Sequence, residues 1–241
     1  MVQIRTSAER GRSSTGWIHS AHSFSFGPYF DTRHQGHGNL LVLNEDIVAP
    51  GKGFATHAHR DMEIITYVLD GALIHKDRMR TDGFTEEHVG IVRPGDVQRM
   101  TAGSGVQHSE FNHLADREVH FLQIWIKPLF TGIRPSHEQK HFPESQRRGR
   151  LARIASRTGE HGAVSMNADA SIEAGLFDGD ESIATSLDPA RVTYVHLVRG
   201  ALTVNGQRLS GGDGALLDGE TTLTMHNGLA AEVLVFDLTR N

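Results

Sequence analysis

The stretch "FATHAHRDMEIITYVLDG", Phe54 to Gly71, sets two histidines one residue apart against a β-branched, apolar run. Residues i and i+2 of an extended strand face the same way. His57 and His59 therefore aim their imidazoles into one space. Either they share a metal there or they are two solvated surface rings, and the rest of the chain has to decide.

Around this stretch the sequence reads as strands. Short runs rich in Val, Ile, Leu and Thr, such as "NLLVL", "FLQIWI", "VTYVHLV" and "AEVLVFDL", are punctuated by turns built on the 26 glycines. Close-spaced short strands without amphipathic helical patterns predict an all-β barrel or sandwich. The pattern also repeats. "ITYVLDGALIHKD" is echoed by "VTYVHLVRGALTVNG", "RPGDVQRMTAG" by "SGGDGALLDG", and "VHFLQIWI" by "AEVLVFDL". Two tandem β modules account for this. Between them Lys127 to Arg150 holds three prolines and no strand alternation, so it reads as the connection. The expected division is a front module over 1–130, a linker over 131–144 and a rear module over 145–241.

Composition narrows the function. With 24 basic and 29 acidic residues the net charge is −5, which argues against a phosphate-backbone binder. The basic run "RRGRLAR", Arg147 to Arg153, reads as a solvated turn. Cysteine is absent, so any metal must be held by nitrogen and oxygen. "MVQIRTSAERGR" lacks the apolar core of a signal peptide, and no run has membrane-spanning length. The expectation is a cytoplasmic protein that binds neither nucleic acid nor membrane, with a monomer compatible with two barrels covering each other's edges.

Of the 16 histidines, 13 precede residue 142, so the modules are not chemically equivalent. The front one has a second i, i+2 pair, His108 and Glu110 in "GSGVQHSEFN". On neighbouring antiparallel strands His57, His59, His108 and Glu110 converge on one point. Three imidazoles and a carboxylate suit a first-row divalent metal with open positions. Glu63 shares the parity of His57 and His59, so spacing alone leaves open which glutamate completes the set. Sliding the first repeat onto the second by the shared "GAL" (Gly71 onto Gly200) puts Ser186 and Asp188 at His57 and His59. Sliding by the later "GD" (Asp96 onto Asp213) puts Met225 and Asn227 at His108 and Glu110. One metal, in the front barrel, is expected.

The motifs resemble a known family. "GKGFATHAHRDMEIITYVLDG" is similar to the first cupin motif, and "HSEFN" to the end of the second. "AHSFSFGPYFDTRHQGHGNLLVLNED", "GDVQRMTAGSGVQHSEFN" and "LQIWI" narrow the resemblance to the pirin branch of the bicupins, and within it to bacterial pirin-like quercetin 2,3-dioxygenases. The segment between Pro94 and His108 is longer than in the general cupin pattern. The resemblance implies two tandem double-stranded β-helix (jelly-roll) barrels, the rear one lacking metal ligands. It implies His57, His59, His108 and Glu110 as ligands of one divalent transition metal, iron(II) first, with Ni, Cu, Mn, Co or Zn as alternatives. Glu63 is then left as a group that fixes an imidazole tautomer. Phe24, Phe26 and Phe54 are candidate pocket walls, Trp125 a core residue, and His75 a surface residue or one supporting a ligand.

The implied activity is oxidative ring opening of a flavonol such as quercetin by O₂, with release of carbon monoxide. Glu110 either stays bound or accepts the hydroxyl proton as a general base. A metal- or redox-sensing regulator that binds a protein partner would use the same ligands. An isomerase on this scaffold would need basic residues ringing the mouth, which the sequence does not visibly cluster.

Overall fold

The computed structural model describes residues 1–81 and 84–240. Almost every element is a strand, in three sheets. In the front half a four-stranded sheet is ordered Gly53–His59, Val106–Asn112, Leu73–Thr81, Phe84–Val92. The other front sheet has seven strands, ordered Ser136–His141, Asp96–Thr101, Glu63–Asp70, Val119–Ile126, Leu40–Val48, Ile18–His22, Gly11–Thr15. The rear half is one nine-stranded sheet wound on Val192–Val204 and Thr222–Leu238. These long strands bend where the register shifts, between Leu197 and Thr203. No helix among the described residues is long and apolar enough to cross a membrane.

The repeat seen in the sequence is visible in the backbone. Gly71 and Gly200, aligned by the shared "GAL", have φ of 79° and 77°. Each packs so closely that a Cβ would meet a carbonyl oxygen, Glu118 at 2.7 Å and Leu229 at 2.3 Å. Only glycine suits either bend.

Apolar side chains divide into an interior for each barrel and a layer between them. Val195, Leu197, Leu202, Phe177 and Met225 fill the rear barrel. Ile18, Val48, Val68, Leu73 and Phe121 close one part of the front barrel, and Ile64, Met79, Met100 and Val106 another. Leu40, Tyr67, Leu122 and Ile124 of the seven-stranded sheet share a core with Ile154, Tyr194 and Phe236 of the rear one. Phe24, expected as a pocket wall, belongs to this shared layer, 1% exposed and 5.5 Å from the Tyr194 ring.

Three segments differ from the sequence expectation. Val2–Arg5 pairs with Gly214–Asp218, so the first strand covers an edge of the rear sheet. Ser136–His141, read as connection, pairs with Asp96–Thr101 at the edge of the front sheet. Arg147, read as solvated, is buried where the halves meet. Its guanidinium donates to the Tyr67 hydroxyl at 2.7 Å and to Glu232 at 3.0 Å.

Candidate metal centre

His57, His59 and His108 meet inside the front barrel. The strands Gly53–His59 and Val106–Asn112 set His108 opposite His57 and Val106 opposite His59. Glu110 then pairs with Phe54, so the first strand carries one extra residue. A bulge of this kind re-aims side chains beside a site. His57 uses it: its Nδ1 lies 2.8 Å from the Ala55 carbonyl and donates to it, leaving the Nε2 lone pair facing inward. The ring centroids of His57, His59 and His108 are 4.3 to 4.9 Å apart.

The donor set fits a divalent ion. One nitrogen from each ring lies within 4.8 Å of the others. The Nε2 atoms of His57 and His108 are 2.8 Å apart. Two nitrogens bound at about 2.1 Å and a right angle are separated by roughly 3 Å. Metal binding also needs neutral imidazoles. Burial, helped by the neighbouring ring charges, pushes His59 down to about 4 and His108 to about 2. Protons therefore do not compete for these two rings at neutral pH.

Glu110 lies beside this trio and outside the grouping. Its buried carboxylate accepts from Gln123 Nε2 at 3.0 and 2.9 Å, and from the Thr66 hydroxyl at 3.4 Å. Its Oε1 is 3.7 Å from His75 Nε2. His75 is fully buried: Nε2 is 2.9 Å from His108 Nδ1, and Nδ1 is 2.8 Å from Asp77 Oδ1. Burial opposes charge on His75, and the Asp77 hydrogen bond with the Glu110 and Asp77 charges outweighs it, so its pKa is raised. Asp77 also takes His137 Nδ1 at 2.8 Å.

Glu63 does not fix an imidazole. It accepts from the Thr101 hydroxyl at 2.8 Å, near Arg99 and the Asn167 backbone, and burial pushes it up to about 7. Between His59 and Glu63 the chain passes from one front sheet to the other through Asp61, at φ 49°, so the shared parity is broken. The ring contact to His108 Nδ1 comes from His75 Nε2. The "IHKD" alternation, Ile74 to Asp77, carried that signal, because His75 and Asp77 are again i and i+2.

The aromatic surroundings differ in part from expectation. Phe54 stands 6.4 Å from the His57 ring and 5.5 Å from Trp17. Trp125 is half-buried and edge-on to His59, and Phe26 lies edge-on to Trp125 at 5.4 Å. A cleft of about 530 Å³ opens beside His59, lined also by Met79, Val106, Arg60, Arg78 and Arg80. Arg78 and Arg80, two apart on the strand Leu73–Thr81, are joined at this rim by Arg60 from the segment after His59.

The two histidine and carboxylate groupings able to hold an ion among the described residues both lie in the front barrel. In the rear barrel Ile183 faces Met225 across the strand pair, and Met225 is buried in the apolar interior.

Comparison with known proteins agrees with this architecture. The Pirin family model matches residues 3–126, and a model described as the quercetinase C-terminal cupin domain matches residues 153–238. A curated quercetin 2,3-dioxygenase of Escherichia coli K12 is 36% identical over 238 residues, 99% of each chain. A pirin-like protein of Caulobacter vibrioides is 36% identical, covering 98% of this chain and 99% of its own. The crystal structure of the bacterial pirin YhhW from Escherichia coli in complex with nickel(II) superposes with a TM-score of 0.90, at 34% identity and 100% coverage of both chains. The fold is that of a bicupin.

Proposed function

Because this chain belongs to the pirin family, we propose that it is a metal-dependent dioxygenase that opens the ring of a flavonol such as quercetin with O₂ and releases carbon monoxide. The observation that carries the proposal is the convergence of His57, His59 and His108 beside a buried glutamate. His57, His59 and His108 would hold the ion, with Glu110 either completing the set or staying off it to act as a base. A divalent ion there supplies Lewis acidity that makes an aromatic hydroxyl more acidic. Iron(II) is the proposed resident, with nickel(II), copper, manganese, cobalt and zinc as alternatives for an N/O donor set.

The remaining work falls to side chains. Where Glu110 stays off the ion, it accepts the hydroxyl proton, and Gln123 and Thr66 orient its carboxylate for this. Trp125 and Phe54 flank the histidines and limit access of water to the deprotonated ring. Arg60, Arg78 and Arg80 favour approach of an acidic phenol along the cleft beside His59.

The test is to replace His57 by Ala, reconstitute with each divalent metal, and follow quercetin absorbance under O₂. Loss of turnover is expected, and undiminished turnover overturns the assignment. Absence of wild-type turnover above the free-metal background, with metal-dependent capture of a protein partner, would support the sensing role instead.

A further inference from the structure

Behind His108 the front barrel holds an unbroken polar line with almost no solvent contact. The strand Leu73–Thr81 pairs with Val106–Asn112 so that Asp77 faces His108 and His75 faces Glu110. His75 and Asp77, at i and i+2, both point into the barrel and are 0% and 3% exposed. His75 Nε2 is 2.9 Å from His108 Nδ1, and His75 Nδ1 is 2.8 Å from Asp77 Oδ1. The second carboxylate oxygen is held by His137 Nδ1 at 2.8 Å, which stops the carboxylate from rotating.

We propose that His75 and Asp77 are positioning residues for the metal centre: they hold His108 in its metal-binding tautomer and strengthen it as a donor. The inference rests on the reading that His108 is a ligand. If His108 binds through Nε2, its one proton sits on Nδ1 and is donated to His75 Nε2. His75, in its neutral form, then carries its own proton on Nδ1, which faces the Asp77 carboxylate 2.8 Å away. This arrangement of protons faces each N–H of the His108–His75 pair toward an acceptor, at 2.9 and 2.8 Å. Asp77 places a negative charge at the far end, which draws both protons outward and raises electron density at His108 Nε2. A carboxylate–histidine contact behind a ligand does the same in other metal sites, and its loss costs about 10- to 100-fold in metal affinity. Here a second imidazole stands between carboxylate and ligand.

The experiment is a chelator-competition measurement of the nickel(II) dissociation constant for wild type, His75→Leu, His75→Gln, Asp77→Asn and His57→Ala. The visible absorption of the cobalt(II)-loaded proteins is recorded alongside. His75→Leu removes the acceptor and is expected to weaken nickel(II) binding about 10- to 100-fold and shift the cobalt(II) bands. His75→Gln keeps an acceptor oxygen and is expected to restore most of the affinity. Asp77→Asn, close in shape, is expected to fall between them, and it carries the test if the leucine variant does not fold. If His57→Ala loses the ion while His75→Leu and Asp77→Asn bind like wild type with unshifted bands, the positioning role is overturned and the site stands. If His57→Ala also binds like wild type, the metal assignment itself has failed.

Discussion

Trp125 stands edge-on to His59, with ring centroids 5.0 Å apart and planes at 81°. It is one of two tryptophans, and the other, Trp17, packs on Phe54 at 5.5 Å. A paramagnetic ion on His59 sits within contact range of the Trp125 indole. Nickel(II) or copper(II) loading is therefore expected to quench the fluorescence. Trp125→Phe should remove most of the quenching, and Trp17→Phe should leave it. Equal quenching in both variants would place the ion elsewhere.

Gln123 holds both oxygens of Glu110, at 3.0 and 2.9 Å, in a buried setting. Gln123→Leu leaves that carboxylate with the longer Thr66 contact and without the amide. Quercetin turnover of the metal-loaded protein is expected to fall by roughly ten- to a hundredfold, the usual cost of losing a group that orients a ligand or base. Retention of full turnover in a steady-state assay would show that Gln123 does not orient Glu110 for the reaction.

The histidine trio was legible because strand alternation survives folding: His57, His59 and His108 all lie on strands that face one interior. Parity failed at Glu63 for a physical reason. The turn through Asp61 hands the chain to another sheet, and alternation does not carry across it. Ser136–His141 escaped notice because "SHEQKH" is polar on both faces, as an edge strand can be. Arg147 was hidden in a basic run. Its partners, Tyr67 and Glu232, lie 80 and 85 residues away, and no local pattern records a contact of that range. The repeat with its glycine bends was readable, since backbone sterics act on each residue in place.

The Arg147 contact has a consequence for stability. Glu232 is buried between Arg147 at 3.0 Å and Arg199 at 2.7 Å, and Tyr67 donates to it at 2.5 Å. Removing one partner of a buried ion pair leaves a charge uncompensated and costs about 3–5 kcal/mol. Arg199 still faces Glu232, so Arg147→Ala is expected at the lower end, about 3 kcal/mol in urea unfolding. Arg147→Ala and Tyr67→Phe together should cost less than the sum, because they share one network. Additivity in that double-mutant cycle would mean the contacts are independent.

His196 sets an acid limit on stability. It is fully buried on the rear-sheet strand Val192–Val204, beside Tyr194 of the layer between the barrels, both ring nitrogens lack a partner, and burial, with the Arg10 charge, pushes it down to about 3 from an ordinary 6.5. A base with a depressed folded pKa binds its proton more readily in the unfolded chain. Its neutral form therefore imposes no pH-dependent cost above 6.5, and stability is lost progressively as pH falls from 6.5 toward 3. At pH 4.5 the loss from this one residue is roughly 2–3 kcal/mol, at about 1.4 kcal/mol per pH unit. His196→Leu removes the titration and two unpartnered polar atoms together. The variant is expected to match or exceed wild type at pH 7.5 and to gain on it steadily below pH 6, read as the difference in urea midpoints across that range. Parallel curves for the two proteins from pH 7.5 to pH 4.5 would show that the imidazole reaches solvent before the barrel opens.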